Sequence, residues 1–378
     1  MKIAMIGHKR VPSRSGGIEV VVEELSSRMT QKGHHVTIYN RNSGEDKIKE
    51  YRGAEIVEVR TPKRQSLNAM VYSLFATLRV IFKHFDVVHF HAEGPCAMIP
   101  LAKLFGKKVT ATIHGLDWQR NKWGRFASKY LLFGEKMAAK YADKVIVLSE
   151  HERKYFKETY NCDALLIPNG INRVQIEPAD IIKQRYGLEK DGYILFLARI
   201  TPEKGLDYLI DAYQSLKTDK KLVITGSIEP QTNYIKSVLE KAKGSKNIIF
   251  TGFVSGKTLS ELFSNCFVYV LPSDIEGMPI SLLEAVGYDA RVIVSDIPEN
   301  TVCIEGYGNS FRHGDAESLK KLLAFCLEHE HLKECDFKEE LSPEQVQQKR
   351  ESFIRKYDWD AITDHTLEAY ASVISKLR

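Results

Sequence analysis

The 378-residue sequence has no long hydrophobic run. A helix that spans a membrane needs roughly 20 consecutive apolar residues, and the most apolar window, residues 67–85, is interrupted by Arg79, Lys83 and His84. The apolar run over residues 2–6 is too short for the hydrophobic region of a signal peptide and is typical of a buried strand. We therefore expect a soluble or peripheral protein that carries no export signal.

Cysteines are few and widely separated. The sequence has no Cys-x-x-Cys pair and no histidine at zinc-finger spacing from a cysteine. This pattern argues against a disulfide framework or a zinc site and favours reduced, structural thiols, as in a cytoplasmic protein. The six cysteines are Cys96, Cys162, Cys266, Cys303, Cys326 and Cys335.

The net charge is only +5, but the charges are unevenly distributed. Residues 1–168 carry about 28 Lys and Arg against about 17 Asp and Glu, whereas the remainder is mildly acidic. A basic half suits an anionic membrane surface, a phosphorylated substrate or a nucleic acid, or it is simply a solvated surface. Because no nucleic-acid motif or aromatic cluster accompanies the charge, we expect no nucleic-acid partner and retain an anionic membrane surface as an expected partner.

Short β-rich runs alternate with amphipathic stretches in the first half of the chain, which is the pattern of a parallel sheet covered by helices. The first helix is predicted over residues 17–32, where apolar side chains share one face and Gly33 ends the helix. The predicted strands are Lys2–Ile6, Val36–Tyr39, Ile56–Val59, Val87–Phe90, Val109–Ile113 and Val145–Leu148.

The segment Ile167–Ile171 interrupts this pattern with Pro168, Asn169 and Gly170 in succession and is typical of a linker. The alternation of strand and helix patterns then restarts, so a second parallel sheet is expected. Its predicted strands are Tyr193–Leu197, Leu222–Thr225, Ile248–Thr251, Val268–Leu271 and Arg291–Val294, and its helices include Leu206–Leu216, Tyr234–Lys243, Thr258–Ser264 and Ile280–Tyr288.

The tail, residues 343–378, is predicted to be helical, with an apolar stripe that packs back across the first domain. The predicted domains are therefore residues 1–168 together with a C-terminal helix, 360–378, and residues 169–359. Because ligands of open α/β sheets bind beyond the carboxyl ends of the strands, two such domains predict a ligand cleft between them.

The most specific motif runs from Ser273 to Glu284, directly after the predicted strand Val268–Leu271. Two carboxylates, Glu276 and Glu284, flank a Gly-Met-Pro turn, and Pro279 is expected at the first helical position. The start of that helix offers free N–H groups to an anion, and the carboxylates can accept hydrogen bonds from sugar hydroxyls. The alternative is that Glu276 is a solvated loop residue and Glu284 an ordinary surface charge.

Arg199 and Lys204 lie on the loop after the predicted strand Tyr193–Leu197. Arg presents a planar fork to phosphate oxygens and Lys a mobile point charge, so the pair suits the negative charge of a departing diphosphate. The alternative is a pair of exposed basic residues without a ligand.

The first half has two weaker candidates. Gly16 and Gly17 join the first strand to the first helix, where paired glycines let the backbone approach a ligand, although a tight turn without a ligand is the alternative. This turn is not the Gly-x-Gly-x-x-Gly fingerprint, which argues against a nicotinamide or flavin enzyme. His114, before Gly115, ends a predicted strand and could reach a cleft, although a lone histidine is often structural.

Together these residues resemble family 4 of the retaining glycosyltransferases, over nearly the whole chain. This resemblance implies an α/β GT-B fold with two facing Rossmann-like domains. The stretch His-Gly-Leu-Asp-Trp-Gln-Arg, residues 114–120, is also similar to a bacterial subgroup that builds capsular and other extracellular polysaccharides. The resemblance is carried by the Glu-x7-Glu pair Glu276 and Glu284, the Arg-x4-Lys pair Arg199 and Lys204, the turn Gly16-Gly17 and the Pro-Asn-Gly-Ile linker.

The resemblance implies a role for each of these residues in binding a nucleotide-diphosphate sugar. The expected catalytic residues are His114, Arg199, Lys204 and Glu276. Arg199 and Lys204 would hold the diphosphate, Glu276 would bind the hydroxyls of the donor sugar, and Glu284 would bind the ribose. Gly16 and Gly17 would admit the phosphate, and His114 would lie beside the sugar. The phosphate and sugar site would be lined by Gly277, Met278 and Pro279. Base selection is expected at Gly252, Phe253 and Val254, largely through backbone groups.

The implied reaction retains the anomeric configuration. The diphosphate leaves, and the acceptor hydroxyl enters on the same face of the sugar, deprotonated by the departing phosphate. A UDP-sugar donor is favoured, and the expected acceptor is a glycan or a polyprenyl-linked saccharide in bacterial surface polysaccharide synthesis, at the inner face of the plasma membrane. No cofactor is expected.

No metal is expected either. The sequence Asp358-Trp359-Asp360 matches the metal-binding Asp-x-Asp of a different glycosyltransferase fold, but it lies in the tail, where Trp359 is better explained as an apolar anchor.

Two other activities fit part of the sequence. A nonhydrolytic epimerase of nucleotide sugars would form product from donor alone. A catalytically silent nucleotide-sugar-binding protein would transfer nothing, and the retained cations and glutamates argue against it.

Overall fold

A computed structural model describes residues 1–42, 47–61, 65–119, 124–304, 306–329 and 343–375. The chain divides into two compact units. Unit 1 comprises Met1–Gly170 and Trp359–Arg378, and unit 2 comprises Ile171–Asp358. No helix in the described ranges is both long and apolar enough to cross a membrane. Five of the cysteines lie in the described ranges and are free thiols, while Cys335 lies outside them.

Unit 1 is built on an eight-stranded sheet. Its elements up to the linker are β1 (Lys2–Ile6), α1 (Gly17–Gln31), β2 (His35–Arg41), β3 (Glu50–Tyr51), β4 (Ala54–Val59), α2 (Gln65–Ile81), β5 (Val87–His91), α3 (Glu93–Cys96), α4 (Ile99–Leu104), β6 (Val109–Thr112), α5 (Arg125–Tyr141), β7 (Lys144–Val147), α6 (Glu150–Tyr160) and β8 (Leu165–Leu166). The strand order is β3-β4-β2-β1-β5-β6-β7-β8, and every neighbouring pair is parallel except β3 and β4.

The structure confirms the strands and the first helix predicted for this unit. The β-rich runs form strands because helices bury both faces of the sheet, and side chains such as Phe90 and Tyr39 are completely buried. Helix α1 ends where predicted, since Gly33 has φ +83° and the N–H of His34 donates to the carbonyl of Met29 at 3.0 Å. Strands β3 and β8 were not predicted, because two residues carry no periodic pattern.

Unit 2 is built on a six-stranded, entirely parallel sheet. Its elements are α7 (Ile181–Tyr186), β9 (Tyr193–Leu197), α8 (Leu206–Gln214), β10 (Lys221–Thr225), α9 (Asn233–Ala242), β11 (Ile248–Gly252), α10 (Gly256–Asn265), β12 (Val268–Leu271), α11 (Ile280–Gly287), β13 (Val292–Ser295), α12 (Pro298–Ile304), β14 (Gly308–Phe311), α13 (Ala316–Glu328) and α14 (Pro343–Lys356). The strand order is β11-β10-β9-β12-β13-β14. All five predicted strands are confirmed, whereas β14 was missed because its residues Gly-Asn-Ser-Phe are mostly polar.

The tail forms two helices, α14 and α15 (Trp359–Ser375), and they belong to different units. The N–H of Ile171 donates to the carbonyl of Tyr357 at 2.6 Å, which fixes the chain between the helices in unit 2. Arg350 of α14 donates to the carbonyl of Gly287 at 2.8 Å, also within unit 2. Helix α15 packs on α1 and β5 of unit 1. The expectation that the whole tail packs on the first domain therefore does not hold for α14, which has its partners in unit 2 as the predicted domain bounds imply.

The order of the parallel strands reverses once in each sheet. In unit 1 the reversal lies between β1 and β5, and in unit 2 it lies between β9 and β12. Open α/β sheets bind ligands in the crevice outside the carboxyl ends of the strands at such a reversal. The loops after these four strands are therefore the places at which to look for a functional site.

Candidate functional site

Lys204 and Glu276 meet at the strand reversal of unit 2. Lys204 ends a 3₁₀ turn, Pro202–Lys204, that follows β9, and Glu276 lies in the loop between β12 and α11. The Nζ atom of Lys204 donates a short hydrogen bond to Oε1 of Glu276. The side chains are only 12% and 5% exposed, respectively, so water screens this ion pair weakly. Two motifs that are 72 residues apart in the sequence thus form one site.

A chain of hydroxyl groups holds Glu276 in place. The Oγ atom of Ser273, which is fully buried, donates to Oε1 of Glu276 at 2.6 Å. The carbonyl of Ser273 accepts a hydrogen bond from the Ser295 hydroxyl, and Nδ2 of Asn300 donates to Oγ of Ser295 at 2.9 Å. Sequence reasoning assigned no role to these three residues. Ser273 stood within the motif, but no sequence signal linked Ser295 or Asn300 to it.

The loops after β9 and β12 approach each other backbone to backbone. Gly205 has φ +62°, and a Cβ atom built on it would lie 2.0 Å from the carbonyl oxygen of Pro272. Beside it, the N–H of Asp274 donates to the carbonyl of Glu203 at 3.0 Å. Only glycine satisfies both the backbone conformation and the close approach at position 205. This contact fixes the distance between the two loops.

Helix α11 begins at Ile280, in agreement with the predicted range Ile280–Tyr288, but Pro279 is not a helical residue. Pro279 was expected at the first helical position, but its ψ of 107° is extended, so it caps the helix and Ile280 is the first helical residue. The carbonyl of Pro279 accepts hydrogen bonds from the N–H groups of Leu282 and Leu283 at 3.1 and 3.2 Å. The N-terminus of α11 lies directly after the loop that carries Glu276, and the helix dipole there favours an anion.

The other predicted residues of this loop and helix occupy different positions. Gly277 and Met278 are buried in the turn before α11. Glu284 lies on α11, partly exposed, and its carboxylate adds to the effect of burial in raising the pKa of Tyr288. The guanidinium of Arg199 is exposed and forms no ion pair within the described part of unit 2. The structure therefore joins Lys204 to Glu276 and leaves Arg199 open to solvent.

The loop predicted to select the base follows β11, at the edge of the unit 2 sheet. Gly252 ends this strand with φ +72°, and its carbonyl accepts a hydrogen bond from the N–H of Gly226 at 3.0 Å. Phe253 is 55% exposed, and Val254 is partly buried. In the strand order, β10 lies between β11 and β9, so this loop is two strands away from Arg199.

Three histidines of unit 1 form a row beside its strand reversal. The Nε2 atom of His114 is 3.1 Å from Nδ1 of His91, and the rings of His91 and His89 are 4.0 Å apart between centroids. His89 continues the row to α15, through a 2.6 Å hydrogen bond between Nδ1 and the Tyr370 hydroxyl. Burial lowers the pKa of both His114 and His89 to about 3 and that of His91 well below its usual value. All three rings are therefore neutral near pH 7.

A fourth histidine lies on the loop after β1. Gly7 has φ +130°, and a Cβ atom there would lie 2.0 Å from the carbonyl oxygen of His91, so the loop crosses close to β5. His8, 1% exposed, places Nε2 at 2.9 Å from Oδ1 of Asn40, and burial lowers its pKa to about 4. Sequence reasoning missed His8, His89 and His91. The alternation His89-Phe90-His91 is a usable signal, because it puts two imidazoles on one face of a strand.

The turn Gly16-Gly17 leads directly into α1. Gly16 caps the helix in an extended conformation, and helical residues begin at Gly17. Glu19 is buried in the first turn, and its Oε1 accepts a hydrogen bond from the N–H of Lys9 at 2.9 Å. A carboxylate of the chain thus lies beside the helix start at which the sequence predicted phosphate contact.

The candidate metal motif is divided between the two units. Asp358 of unit 2 lies 3.6 Å from the guanidinium of Arg173, and Asp360 of unit 1 accepts a hydrogen bond from Arg28 at 2.9 Å. Trp359 is 2% exposed, which agrees with its interpretation as an apolar anchor. Within the described ranges, no three His, Cys, Asp or Glu side chains are grouped so that they could hold a metal ion.

Comparisons with known proteins match two families along the chain. The family described as Glycosyltransferase Family 4 matches residues 15–175, and the family described as Glycosyl transferases group 1 matches residues 179–341. The amylovoran biosynthesis glycosyltransferase AmsD of Erwinia amylovora is 26% identical, over 78% of this chain and 82% of that protein. The GDP-mannose-dependent alpha-(1-6)-phosphatidylinositol monomannoside mannosyltransferase of Mycobacterium tuberculosis is 26% identical, over 75% of this chain and 78% of that protein.

Solved structures share the fold over almost the full length. A sucrose-phosphate synthase from Thermosynechococcus elongatus has a TM-score of 0.84 and 20% identity, covering 99% of both chains. Anabaena Alr3699/HepE in complex with UDP and glucose has a TM-score of 0.79 and 15% identity, covering 98% of this chain and 100% of that one.

Proposed function

We propose that this chain, which belongs to the group 1 glycosyltransferases of family 4 and has the GT-B fold, transfers a sugar from a nucleotide-diphosphate donor with retention of configuration and without a metal. The observation that carries the proposal is the buried contact between Lys204 and Glu276 at the strand reversal of unit 2. This contact places a cation and a fixed acceptor where a sheet of this kind binds its ligand.

The donor diphosphate is the natural ligand of the positive groups at this site. The ammonium group of Lys204 and the exposed guanidinium of Arg199 neutralise the charge that develops on the leaving diphosphate. The N-terminus of α11 adds backbone N–H groups and a favourable dipole. Gly277, Met278 and Pro279 form the wall of this phosphate and sugar site.

The acceptor groups of the site bind hydroxyls of the donor. Glu276 is held by Ser273, so its carboxylate is oriented before the donor sugar arrives, and preorganisation of this kind lowers the cost of binding. Glu284, further along α11, binds the ribose. The backbone of residues 252–254 contacts the base.

Two features of unit 1 are also proposed to contact the donor. The Nε2 atom of His114 is engaged by His91, so the neutral imidazole offers its Nδ1 atom to the donor sugar and adds no positive charge. Gly16 and Gly17 admit a phosphate oxygen at the start of α1, close to the Glu19 carboxylate. We expect the Glu19 carboxylate to weaken that contact, and so Lys204 and Arg199 carry the larger share of phosphate binding.

The proposed reaction needs no protein nucleophile. The bond between the anomeric carbon and the diphosphate oxygen breaks, and both of its electrons leave with the diphosphate. The acceptor hydroxyl forms the new bond on the same face, and its proton passes to an oxygen of the departing phosphate. The protein contributes cations for the leaving group and hydrogen bonds that hold the sugar.

The proposed donor is a UDP-sugar, and the proposed acceptor is a glycan or a polyprenyl-linked saccharide in bacterial surface polysaccharide synthesis. UDP is supported by the UDP complex of a protein with the same fold, whereas a GDP-mannose-dependent relative makes GDP the main competitor. The polysaccharide role is supported by the amylovoran relative. We also propose a cytoplasmic enzyme that sits peripherally on the inner, anionic face of the plasma membrane.

A thermal-shift panel tests this proposal. Purified protein is heated with UDP, GDP, ADP and their common sugar conjugates, with and without EDTA. A ligand present at 100 times its dissociation constant adds about 2.7 kcal/mol to the free energy of unfolding. We expect one nucleotide, UDP, to stabilise the protein equally in EDTA. A response to none of the nucleotides contradicts the proposed donor site, and stabilisation that EDTA abolishes contradicts metal independence.

Product analysis separates the proposed activity from its alternatives. With the stabilising donor and a mixed glycan acceptor, we expect a glycoside whose anomeric configuration matches that of the donor in a proton NMR spectrum. An epimerised sugar from donor alone would assign the protein to the epimerases, and binding without turnover would make it a silent binding protein.

A further inference from the structure

The helix α2 of unit 1 is apolar on two faces, and only one of them is covered. Tyr72, Ala76 and Val80 follow each other at four-residue spacing and are completely buried in the core. The outward face carries Phe75, which is 46% exposed, and Phe82, the residue directly after the helix, is 79% exposed. A surface helix of a soluble domain normally has one apolar stripe and a polar outer face. The exposed apolar side chains on the outer face of α2 therefore indicate a binding surface.

The exposed side chains form one surface, which we name the aromatic patch. Phe82, at the end of α2, packs edge-on against Phe105, at the end of α4, with 6.1 Å between ring centroids. Leu104 beside it is 80% exposed. Isolated exposed apolar residues are common, but a contiguous group marks an interaction surface. The patch consists of Phe75, Phe82, Leu104 and Phe105.

A groove of about 770 Å³ adjoins the aromatic patch and shares Phe75 and Phe82 with it. Tyr39 also lines this groove; its side chain is completely buried, and its hydroxyl has no hydrogen-bond partner among the described residues. Such an orphaned phenol is unfavourable unless a ligand or water group satisfies it. The complete lining is Tyr39, Val57, Arg60, Phe75, Leu78, Arg79, Phe82 and Lys83.

The charges at the groove are predominantly positive. Arg60, Arg79 and Lys83 are exposed at its edge. The nearby carboxylate of Glu58 is already paired with the guanidinium of Arg10 at 3.0 Å, so it does not neutralise them. Apolar side chains flanked by Lys and Arg are the pattern of a helix that lies in the interface of a membrane with anionic lipids. These cations complement the phosphates of anionic lipids.

We propose that the aromatic patch and the cationic groove beside it are the surface by which unit 1 binds an anionic phospholipid bilayer. Phe75, Phe82, Leu104 and Phe105 enter the boundary between headgroups and acyl chains, and Arg60, Arg79 and Lys83 bind lipid phosphates. This inference deepens the proposed function, on which it rests for the membrane-bound acceptor. It assigns the membrane contact to one face of unit 1, and none of the residues of that face belongs to the proposed donor site.

Flotation with lipid vesicles tests the inference with the full-length protein. Vesicles of phosphatidylglycerol and phosphatidylcholine are compared with vesicles of phosphatidylcholine alone. We expect binding to the anionic vesicles that weakens as salt is raised, because each Lys or Arg contributes about a fivefold factor at an anionic surface. Phe82→Ser should lower the partition coefficient about tenfold, and Lys83→Glu at least about fivefold.

Matched changes in unit 2 serve as controls. Ile176 is 55% exposed and Lys236 is exposed on α9, so Ile176→Ser and Lys236→Glu should leave vesicle binding within about twofold of the wild type. Vesicle binding that is the same for Phe82→Ser as for the wild type, or an equal loss for the controls, would overturn the inference. So would a lipid-free dimer that Phe82→Ser dissociates, since a second copy would then be the partner.

The response to UDP separates this inference from the proposed function. Because Phe82 lies on the surface of unit 1, we expect Phe82→Ser to retain the full thermal shift with UDP while it loses vesicle binding. A wild type that binds vesicles but responds to no nucleotide would refute the proposed donor site and leave the membrane surface intact. A wild type that responds to UDP and ignores anionic vesicles would refute the membrane surface alone.

Discussion

The two units share a plan but differ in what they present to solvent. In each, a positive-φ glycine, Gly7 in unit 1 and Gly205 in unit 2, lets loops cross closely at the strand reversal. Of the twelve large hydrophobic side chains exposed in the described ranges, nine lie in unit 1 and only Ile176, Phe253 and Val302 lie in unit 2. The architecture therefore sets where a ligand can bind, and the surface chemistry sets which ligand it is.

The same contrast holds for the polar groups beside each reversal. Unit 2 has a buried ion pair, Lys204 with Glu276, whereas unit 1 has a row of neutral imidazoles around His91. A fixed cation suits a diphosphate, and a neutral ring suits a sugar hydroxyl. Substitutions in the two units should therefore have different consequences.

The largest effect is expected for Lys204→Ala in unit 2. The substitution removes a cation from the leaving diphosphate, so kcat should fall on the order of 10²–10³-fold, the scale for loss of one group that stabilises developing negative charge. Initial rates with saturating donor measure this effect. Lys236→Ala, an exposed lysine on α9, is the control and should behave like the wild type. Turnover of Lys204→Ala close to that of the wild type would contradict the assigned role.

Substitutions of Gly7 and Gly205 test whether the close approach of backbone segments at the strand reversal stabilises both units. In both Gly7→Ala and Gly205→Ala, the new Cβ atom would lie 2.0 Å from a backbone oxygen at positive φ, so each should lower the free energy of unfolding by about 2–4 kcal/mol. Urea denaturation measures the loss. Gly244→Ala has φ +88° but no atom within 4 Å, and should cost only about 1–2 kcal/mol. Equal losses at all three positions would show that the close crossings are unimportant.

Acid should weaken unit 1 more than unit 2. A histidine with a lowered folded-state pKa binds its proton more readily in the unfolded state, so its contribution to stability is lost as the pH falls below the unfolded value of 6.5. For His8, with a pKa of about 4, the loss at pH 5 is about 2 kcal/mol. Burial raises the pKa of Glu93, so protonation of this carboxyl stabilises the folded state as the pH falls. It is a single group, whereas the pKa is lowered at four histidines, His8, His89, His91 and His114.

Hydrogen exchange compares the two units directly. With rates corrected for the intrinsic effect of pH, we expect the amides of β1 and β5 to lose more protection between pH 7 and pH 5 than those of β9 and β12. An equal loss in both sheets, or a greater loss in unit 2, would contradict the assignment of neutral buried histidines.

The smallest effect is expected at the surface of unit 1. Lys32, which caps the C-terminus of α1, pairs with Asp364 of α15 at 2.5 Å, but the side chains are 36% and 53% exposed, respectively. Exposed ion pairs contribute about 0–1 kcal/mol, so Lys32→Ala should cost less than about 1 kcal/mol, and high salt should reduce the difference. A double-mutant cycle with Asp364→Asn measures the pair. A coupling energy above about 2 kcal/mol would show that charge, and not the packing of Tyr370, holds α15 in place.

Sequence periodicity predicted the long strands well because buried parallel strands are continuous apolar runs. It failed for β8 and β14, which are short or polar, and at Pro279, where only the observed ψ distinguishes a cap from a first helical residue. The predicted domain boundary in the tail, between residues 359 and 360, lies one residue from the observed division. The partner of α14 was not predicted, because a charged helix gives no sign of which elements it packs on. The turn near Tyr357, which separates α14 from α15, depends on a contact with Ile171, far away in the sequence.

Part of the candidate site was also visible in the sequence. The glutamate and cation motifs could be placed after their strands, and the structure shows that Lys204 and Glu276 meet. The hydrogen bond from Ser295 to the carbonyl of Ser273, and the histidine row of unit 1, depend on which strands are neighbours in the sheet. Strand order is a long-range property that local sequence patterns do not encode.

Protection of backbone amides by UDP tests the proposed donor site most directly. Hydrogen exchange is followed with and without UDP, in EDTA, for the wild type and for Lys204→Ala. We expect UDP to protect the loops after β9 and β12 and the first turn of α11, and we expect this protection to be much weaker in Lys204→Ala. Absence of protection in these segments at saturating UDP, or protection that Lys204→Ala leaves unchanged, would contradict the central claim that the ion pair of unit 2 marks the diphosphate site.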